Sequence, residues 1–266
     1  MLSKVKTLNG YAIETIDSEK LGTVKDLYFD DEYWTTRYLV VDTGTWLTTR
    51  KVLLAPYALA FVDVAAASIS TTLTKQQIID SPALDADKPV SQQFETDFYN
   101  YYGWPAYWTG PFSWGFYPYL ERDKAKWERP AEAVFTGKHR PDWHLRSSLE
   151  VIGYHVQAVD GEIGHIVDII VDNDTWEIRY LVISTSNWWA GKKVLIAPLW
   201  VDRVSWEERT VTIDLTRQVI QLSPEYDDSL LVTRDYETNL YGHYNRKGYW
   251  VKDFSPEKAG CGCVKH

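Results

Sequence analysis

The chain has 266 residues, 45% of them hydrophobic and 24% charged, with a net charge of −9 and 13 Trp and 18 Tyr. These are proportions of a globular protein with one or two domains. The acidic balance repels phosphate backbones, and with Lys138-His139-Arg140 as the densest basic cluster, nucleic acid is excluded as the expected partner.

The elements expected in chain order are mostly strands. Met1–Lys6 carries no apolar h-region, so no secretory signal is expected. Tyr11–Ile16 alternates weakly and ends in a turn near Asp17–Lys20. Thr23–Asp30 and Thr36–Asp42, rich in β-branched and aromatic residues, flank the acidic turn Asp30-Asp31-Glu32. Lys51–Ala55 is a short apolar strand closed by Pro56, and Ser68–Leu73 is another strand. Thr74 then caps a helical turn that Pro82 stops. An extended polar stretch from Ala83 ends in the aromatics at Trp108. Residues 98–120 carry no charge, a length that could span a bilayer. However, Pro105, Pro111 and Pro118 break any helix there, so no transmembrane segment is expected.

From residue 153 the pattern starts again. Gly10-Tyr11 returns as Gly153-Tyr154, Gly22 and Asp26 as Gly164 and Asp168, and Arg37-Tyr38-Leu39-Val40 as Arg179-Tyr180-Leu181-Val182. Pro56 returns as Pro198, and Tyr107-Trp108 as Tyr249-Trp250. The period is too long for a solenoid, so this is a duplicated domain. Expected strands at Ile166–Val171, Ile178–Ser184, Lys193–Ala197 and Thr210–Leu215 precede the cap Thr216 and the stop Pro224. The division is residues 1–82 for the first barrel, 83–143 for an aromatic extension and linker, 144–224 for the second barrel, and 225–266 for a second extension and disordered tail.

The Gly22-x-x-x-Asp26 spacing, the Arg-Tyr-Leu-Val strand and Lys51-Val52-Leu53-Leu54-Ala55-Pro56, each present twice, together resemble the PRC-barrel. That family is named for the cytoplasmic domain of the photosynthetic reaction centre H subunit and also occurs in a ribosome maturation factor. The expected fold is mainly β: two tandem small PRC-type β-barrels, each with a short helix and an aromatic C-terminal extension. The resemblance implies a docking or assembly module, with stress adaptation as an associated setting. The chain departs from the H subunit in lacking an N-terminal membrane helix. Met1–Leu8 is too short for the maturation factor's further domain, so none is expected.

Chemistry is sparse. No Gly-rich phosphate loop, Gly-x-Ser-x-Gly elbow or His-Glu-x-x-His is present. His155, His165 and His243 have no histidine counterpart in the first copy. No enzyme activity and no cofactor are therefore expected. Asp26/Asp168 and Arg37/Arg179 read as cross-strand or turn-stabilising ion pairs, with an acid–base role as the sharper alternative. Gly22/Gly164 read as turns or bulges needing positive φ, and Pro56/Pro198 as strand ends. The acidic turns, with Asp172-Asn173-Asp174 in the second copy, lack EF-hand spacing and read as solvated. Cys261, Cys263 and His266 form a weak soft-metal candidate. Trp104, Phe112, Trp114, Phe116 and Tyr117 are the interaction candidates. The expected function is non-enzymatic protein docking in the cytoplasm, with an unidentified protein partner and homo-oligomers admitted. The alternatives are a peripheral accessory of a membrane electron-transfer complex, touching the membrane without crossing it, a metal- or redox-responsive protein using the Cys-Gly-Cys tail, and a hydrolase or other enzyme using Asp26 and Asp168.

Overall fold

The computed structural model describes residues 1–44, 50–85, 89–127, 145–185 and 192–251. The first lobe contains β1 (Leu2–Lys4), α1 (Val5–Leu8), β2 (Ala12–Glu14), β3 (Lys20–Asp30), β4 (Thr35–Asp42), β5 (Arg50–Leu54), β6 (Leu59–Asp63), β7 (Ser68–Thr71), α2 (Lys75–Ile79), β8 (Leu84–Asp85) and α3 (Gln92–Tyr102). The second lobe repeats the plan with β9 (Leu145–Ser147), α4 (Ser148–Val151), β10 (His155–Ala158), β11 (Gly161–Asp172), β12 (Ile178–Ser184), β13 (Lys193–Ile196), β14 (Val201–Ser205), β15 (Thr210–Ile213), α5 (Arg217–Gln221) and α6 (Arg234–His243).

Each sheet follows the same path. In lobe 1 the order is β6-β7-β2-β3-β4-β5-β8, and in lobe 2 it is β14-β15-β10-β11-β12-β13. The one parallel contact in each is equivalent, β2 with β7 and β10 with β15. The expected mainly β plan is present twice; among the described residues no pairing joins the two ends of either path, so of the bent sheet and the closed barrel the sheet is what forms. Side chains finish the enclosure. The central strand β4 is buried at every position from Thr35 to Val41, because the lobe core covers one face and α3 with its following segment covers the other.

The two lobes exchange their first strands. β1 pairs antiparallel with β11 of lobe 2, Ser3 opposite Val171. β9 pairs antiparallel with β3 of lobe 1, Arg146 opposite Phe29. A strand at a sheet edge exposes unpaired N–H and C=O groups, so each lobe satisfies the other's edge. At the middle of the exchange, Thr36 N–H donates to Trp176 O at 2.8 Å and Ile178 N–H donates to Trp34 O at 2.7 Å. Trp34 and Trp176 sit there at φ 51 and 60, a left-handed conformation that a bulky residue adopts only when surrounding contacts hold it. Hydrogen bonding thus crosses the boundaries at 82/83 and 143/144 that the repeats mark in sequence.

The post-sheet stretch, expected to be extended, contains helix α3. Ser91 caps it by accepting from Phe94 N–H, and Gly103 ends it at φ 69. Its buried face is Phe94, Glu95, Phe98 and Tyr99, the i, i+4 spacing of an amphipathic helix. In lobe 2, α6 is capped by Thr233 and buries Glu237, Leu240 and Tyr241. The capped turns behind Thr74 and Thr216 form as expected.

The glycines kept in both copies serve close approach. A Cβ on Gly22 would lie 2.2 Å from Asp42 O, and one on Gly164 would lie 1.9 Å from Ser184 O. Only Gly164, at φ 150, also has the positive φ expected of both positions. Backbone cannot yield as a side chain does, so Gly164→Ala is expected to cost about 3 kcal/mol in urea unfolding. A cost below about 1 kcal/mol would show that β11 and β12 can separate freely there.

Candidate functional site

Three clusters bring together the residues the repeats retain. The first couples the lobes. Asp26 on β3 is buried and accepts from Ser147 Oγ at 2.5 Å, Ser148 Oγ at 2.6 Å, Leu149 N–H at 3.2 Å and its neighbour Leu27 N–H at 2.8 Å. Its equivalent Asp168 accepts from Lys6 N–H at 3.1 Å and Ile169 N–H at 2.8 Å. Each carboxylate therefore binds the first turn of the short helix donated by the other lobe, where backbone N–H groups lack helical partners. Burial raises the Asp168 carboxyl above its usual range, and the N–H groups of Ile169 and Lys6 oppose that shift.

The expected pairing of these aspartates with Arg37 and Arg179 is not found. Arg37 Nε donates to Asp30 Oδ2 at 2.8 Å. Arg179 pairs with Asp172 at 3.4 Å and with Glu177 at 2.5 Å. The reason is strand geometry. Asp26 directly opposes Val40 across β3 and β4, while Asp30 stands at the start of the turn whose far side carries Arg37.

The second cluster is a buried carboxylate holding two phenols. Glu95 Oε1 accepts from Tyr38 Oη at 2.9 Å and Tyr107 Oη at 2.7 Å. In lobe 2, Glu237 Oε1 accepts from Tyr180 Oη at 2.7 Å and Tyr249 Oη at 2.9 Å. The arginine of each lobe lies over the second ring, Arg37 at 3.9 Å from the Tyr107 centroid and Arg179 at 4.0 Å from Tyr249. Burial raises the Glu95 carboxyl, with the two phenols and Arg37 opposing the shift. Burial alone would lower Arg37, but Asp30 and the neighbouring phenols raise it. Burial drives the Tyr38 and Tyr107 phenols well up, so they stay neutral donors. The sequence carries a signal for this cluster. Glu95-Thr96 returns as Glu237-Thr238 at the same repeat offset, each glutamate followed four residues later by a tyrosine, Tyr99 and Tyr241.

The third cluster is the aromatic strap behind α3, and here the interaction candidates divide. Trp114 is wholly buried, in edge contact with Tyr57 at 5.3 Å and 4.7 Å from Arg37, so it belongs to the core and not to a docking surface. Trp104 is partly buried, stacked on Tyr102 at 4.3 Å and Tyr57 at 5.8 Å. Tyr117 is half-buried, its hydroxyl donating to Lys126 O at 3.3 Å. Phe112 and Phe116 are exposed on a small turn closed by Phe112 N–H to Gly115 O at 3.0 Å. Pro56 and Pro198 end their strands and open single 3₁₀ turns.

A family model for the PRC-barrel domain matches residues 2–78 and 147–220, more than half of the chain. The chain belongs to the PRC-barrel family. The first matched segment includes β1, the second begins at the last residue of β9, and they contain the Asp26/Asp168 and Arg37/Arg179 positions. Glu95, Glu237, Tyr107, Tyr249 and the strap lie beyond the PRC-barrel segments, while Tyr38, Arg37, Tyr180 and Arg179 of the same clusters lie within them. The chain is also 33% identical over 89 residues to an uncharacterised protein of Deinococcus radiodurans, which covers 33% of this chain and 32% of that protein. The chain thus matches about a third of that relative's length.

Among the described residues no group of three His, Cys, Asp or Glu side chains is placed to hold a metal. Cys261, Cys263 and His266 lie outside the described residues. Among the described residues no helix is long and apolar enough to cross a membrane.

Proposed function

We propose that this PRC-barrel protein is a non-enzymatic cytoplasmic docking module, a paired-lobe platform that presents the strap of lobe 1 to a protein partner. The observation that carries this reading is how the retained ionisable residues are used. Asp26, Asp168, Arg37 and Arg179 are each engaged by several structural bonds in the lobe junction or the core, which leaves recognition to what differs between the lobes. What differs most is the strap, which has no counterpart in lobe 2 among the described residues and exposes Phe112, Phe116 and Tyr119. Exposed aromatic side chains on a braced backbone are the residue type that dominates interface energy.

Deleting residues 109–119 would remove Trp114 from the core, so the test uses surface changes. In-cell cross-linking in the native host compares the intact chain with Phe112→Ser/Phe116→Ser. Loss of a specific cross-linked partner in the double variant is the expected outcome. Identical cross-links from both proteins would overturn the strap as the docking surface.

A further inference from the structure

The two lobes share a plan, so a place filled in one and empty in the other points to what is missing. Trp206 follows β14 in lobe 2, and Val64 follows β6 at the equivalent position in lobe 1. Arg146 on β9 likewise corresponds to Ser3 on β1, since Arg146 opposes Phe29 and Ser3 opposes the equivalent Val171. In lobe 2 the two large side chains fill their space together. The Arg146 guanidinium lies 3.9 Å from the Trp206 ring centroid and pairs with Asp31 at 3.1 Å. The Tyr154 ring flanks the indole at 6.0 Å.

At the equivalent place beside Tyr11 there is a cavity of about 160 Å³. Tyr11, Val64, Ile170, Tyr226, Leu230 and Leu231 supply most of its wall, and every residue that lines it is among the described ones. Two exchanges, Trp206 to Val64 and Arg146 to Ser3, take an indole and a guanidinium out of this place. Tyr226 is larger than its equivalent Leu84, yet the cavity remains. The wall is braced. Tyr226 N–H donates to Lys193 O at 2.9 Å, Lys4 Nζ donates to Asp228 O at 2.9 Å, and Lys193 pairs with the Asp228 carboxylate. A preformed wall costs a ligand little ordering.

We infer that this cavity binds a free small aromatic molecule, a planar ring between benzene and indole in size. Three observations carry this. A mostly apolar cavity of about 150 Å³ accepts one benzene ring. The equivalent place in lobe 2 holds a flat ring between a phenol and a cation. The cavity keeps both kinds of neighbour, with the Tyr11 and Tyr226 rings and the Lys4 ammonium in its wall. The volume fits one ring system without an attached backbone, so a free molecule is assigned and not a partner's side chain. No strap residue lines the cavity, so this inference stands apart from the docking reading.

The test titrates the full chain with indole in a calorimeter. One saturable site is expected, with Kd on the order of 0.1–1 mM for so small a ligand. Indole at about ten times Kd should raise the melting temperature by about 3 °C. Val64→Trp supplies in lobe 1 the ring that Trp206 supplies in lobe 2, and should weaken indole binding at least about ten-fold. Val64→Glu places a charge at the exposed rim and should weaken binding about as much, with an unchanged circular dichroism spectrum. It serves as the test if Val64→Trp does not fold. Indole affinity unchanged in the folded variants would place the ligand elsewhere and overturn the site. Absence of saturable indole binding to the parent would overturn it as well. Equal affinity for cyclohexanol would overturn the aromatic class. Binding of N-acetyltryptophanamide without binding of indole would show that a protein's tryptophan is the occupant, which overturns the free molecule.

Discussion

Asp26→Ala is expected to destabilise the protein by about 4 kcal/mol and to loosen the junction between its lobes. The carboxylate accepts four hydrogen bonds in a buried setting, three of them from residues 121 to 123 positions further along the chain. Removing it strands the N–H of Leu149 and the hydroxyls of Ser147 and Ser148 at the junction. Buried donors without partners cost about 1–3 kcal/mol each, and hydrogen bonds to a charged acceptor lie at the strong end of the range. Asp168→Ala should cost less, about 2 kcal/mol, because Lys4 and Val5 stand where lobe 2 has Ser147 and Ser148 and supply no hydroxyl. Urea unfolding measures the totals, and amide exchange locates them. Residues 145–151 should lose protection in Asp26→Ala before the rest of lobe 2 does. A cost below about 1 kcal/mol with unchanged protection would show that Asp26 does not couple the lobes.

The second large effect is at Glu95, where two substitutions should part company. Glu95→Ala removes the carboxylate that accepts from the Tyr38 and Tyr107 hydroxyls and leaves a cavity beside Phe98 and Tyr99, at a cost of about 4 kcal/mol. Glu95→Gln keeps an acceptor oxygen for both phenols and removes a buried charge, so it should lie within about 1 kcal/mol of the parent at pH 7. The difference between the parent and Glu95→Gln should depend on pH. Burial raises the folded-state pKa of Glu95 above its usual 4.5. The folded protein therefore binds this proton more tightly than the unfolded chain. The stability this supplies is complete below about pH 4.5 and is lost as pH rises through the raised folded value. Relative to Glu95→Gln, the parent should gain stability as pH falls through that window. A flat difference, or one of opposite sign, would show that the carboxyl is not desolvated.

The lobe junction also changes what the repeats mean. Two copies kept at equivalent charged positions invite an acid–base reading. In the structure the aspartates bind helix turns across the junction, and the arginines brace a turn and a tyrosine. Retention in both copies follows from reciprocity, since each lobe completes its sheet with the other's strand.

The amino-acid sequence by itself determined the duplication, the family, most of the strands and the capped turns at Thr74 and Thr216. Those features are local: β-branched and aromatic runs, a cap three residues from its donor, a proline that cannot extend a ladder. It also held the face of α3, where Phe94, Glu95, Phe98 and Tyr99 keep helical spacing behind Ser91, though the intervening polar residues masked it. Only the tertiary structure decided which lobe β1 and β9 join, which acid meets Arg37, and which rings of the strap are buried. A three-residue strand buries the same side chains against either lobe, so its hydrophobic pattern carries no record of its partner. Trp114 and Phe112 are both uncharged aromatics two residues apart, and what separates core from surface is the Tyr57 ring and the Arg37 guanidinium lying under one of them.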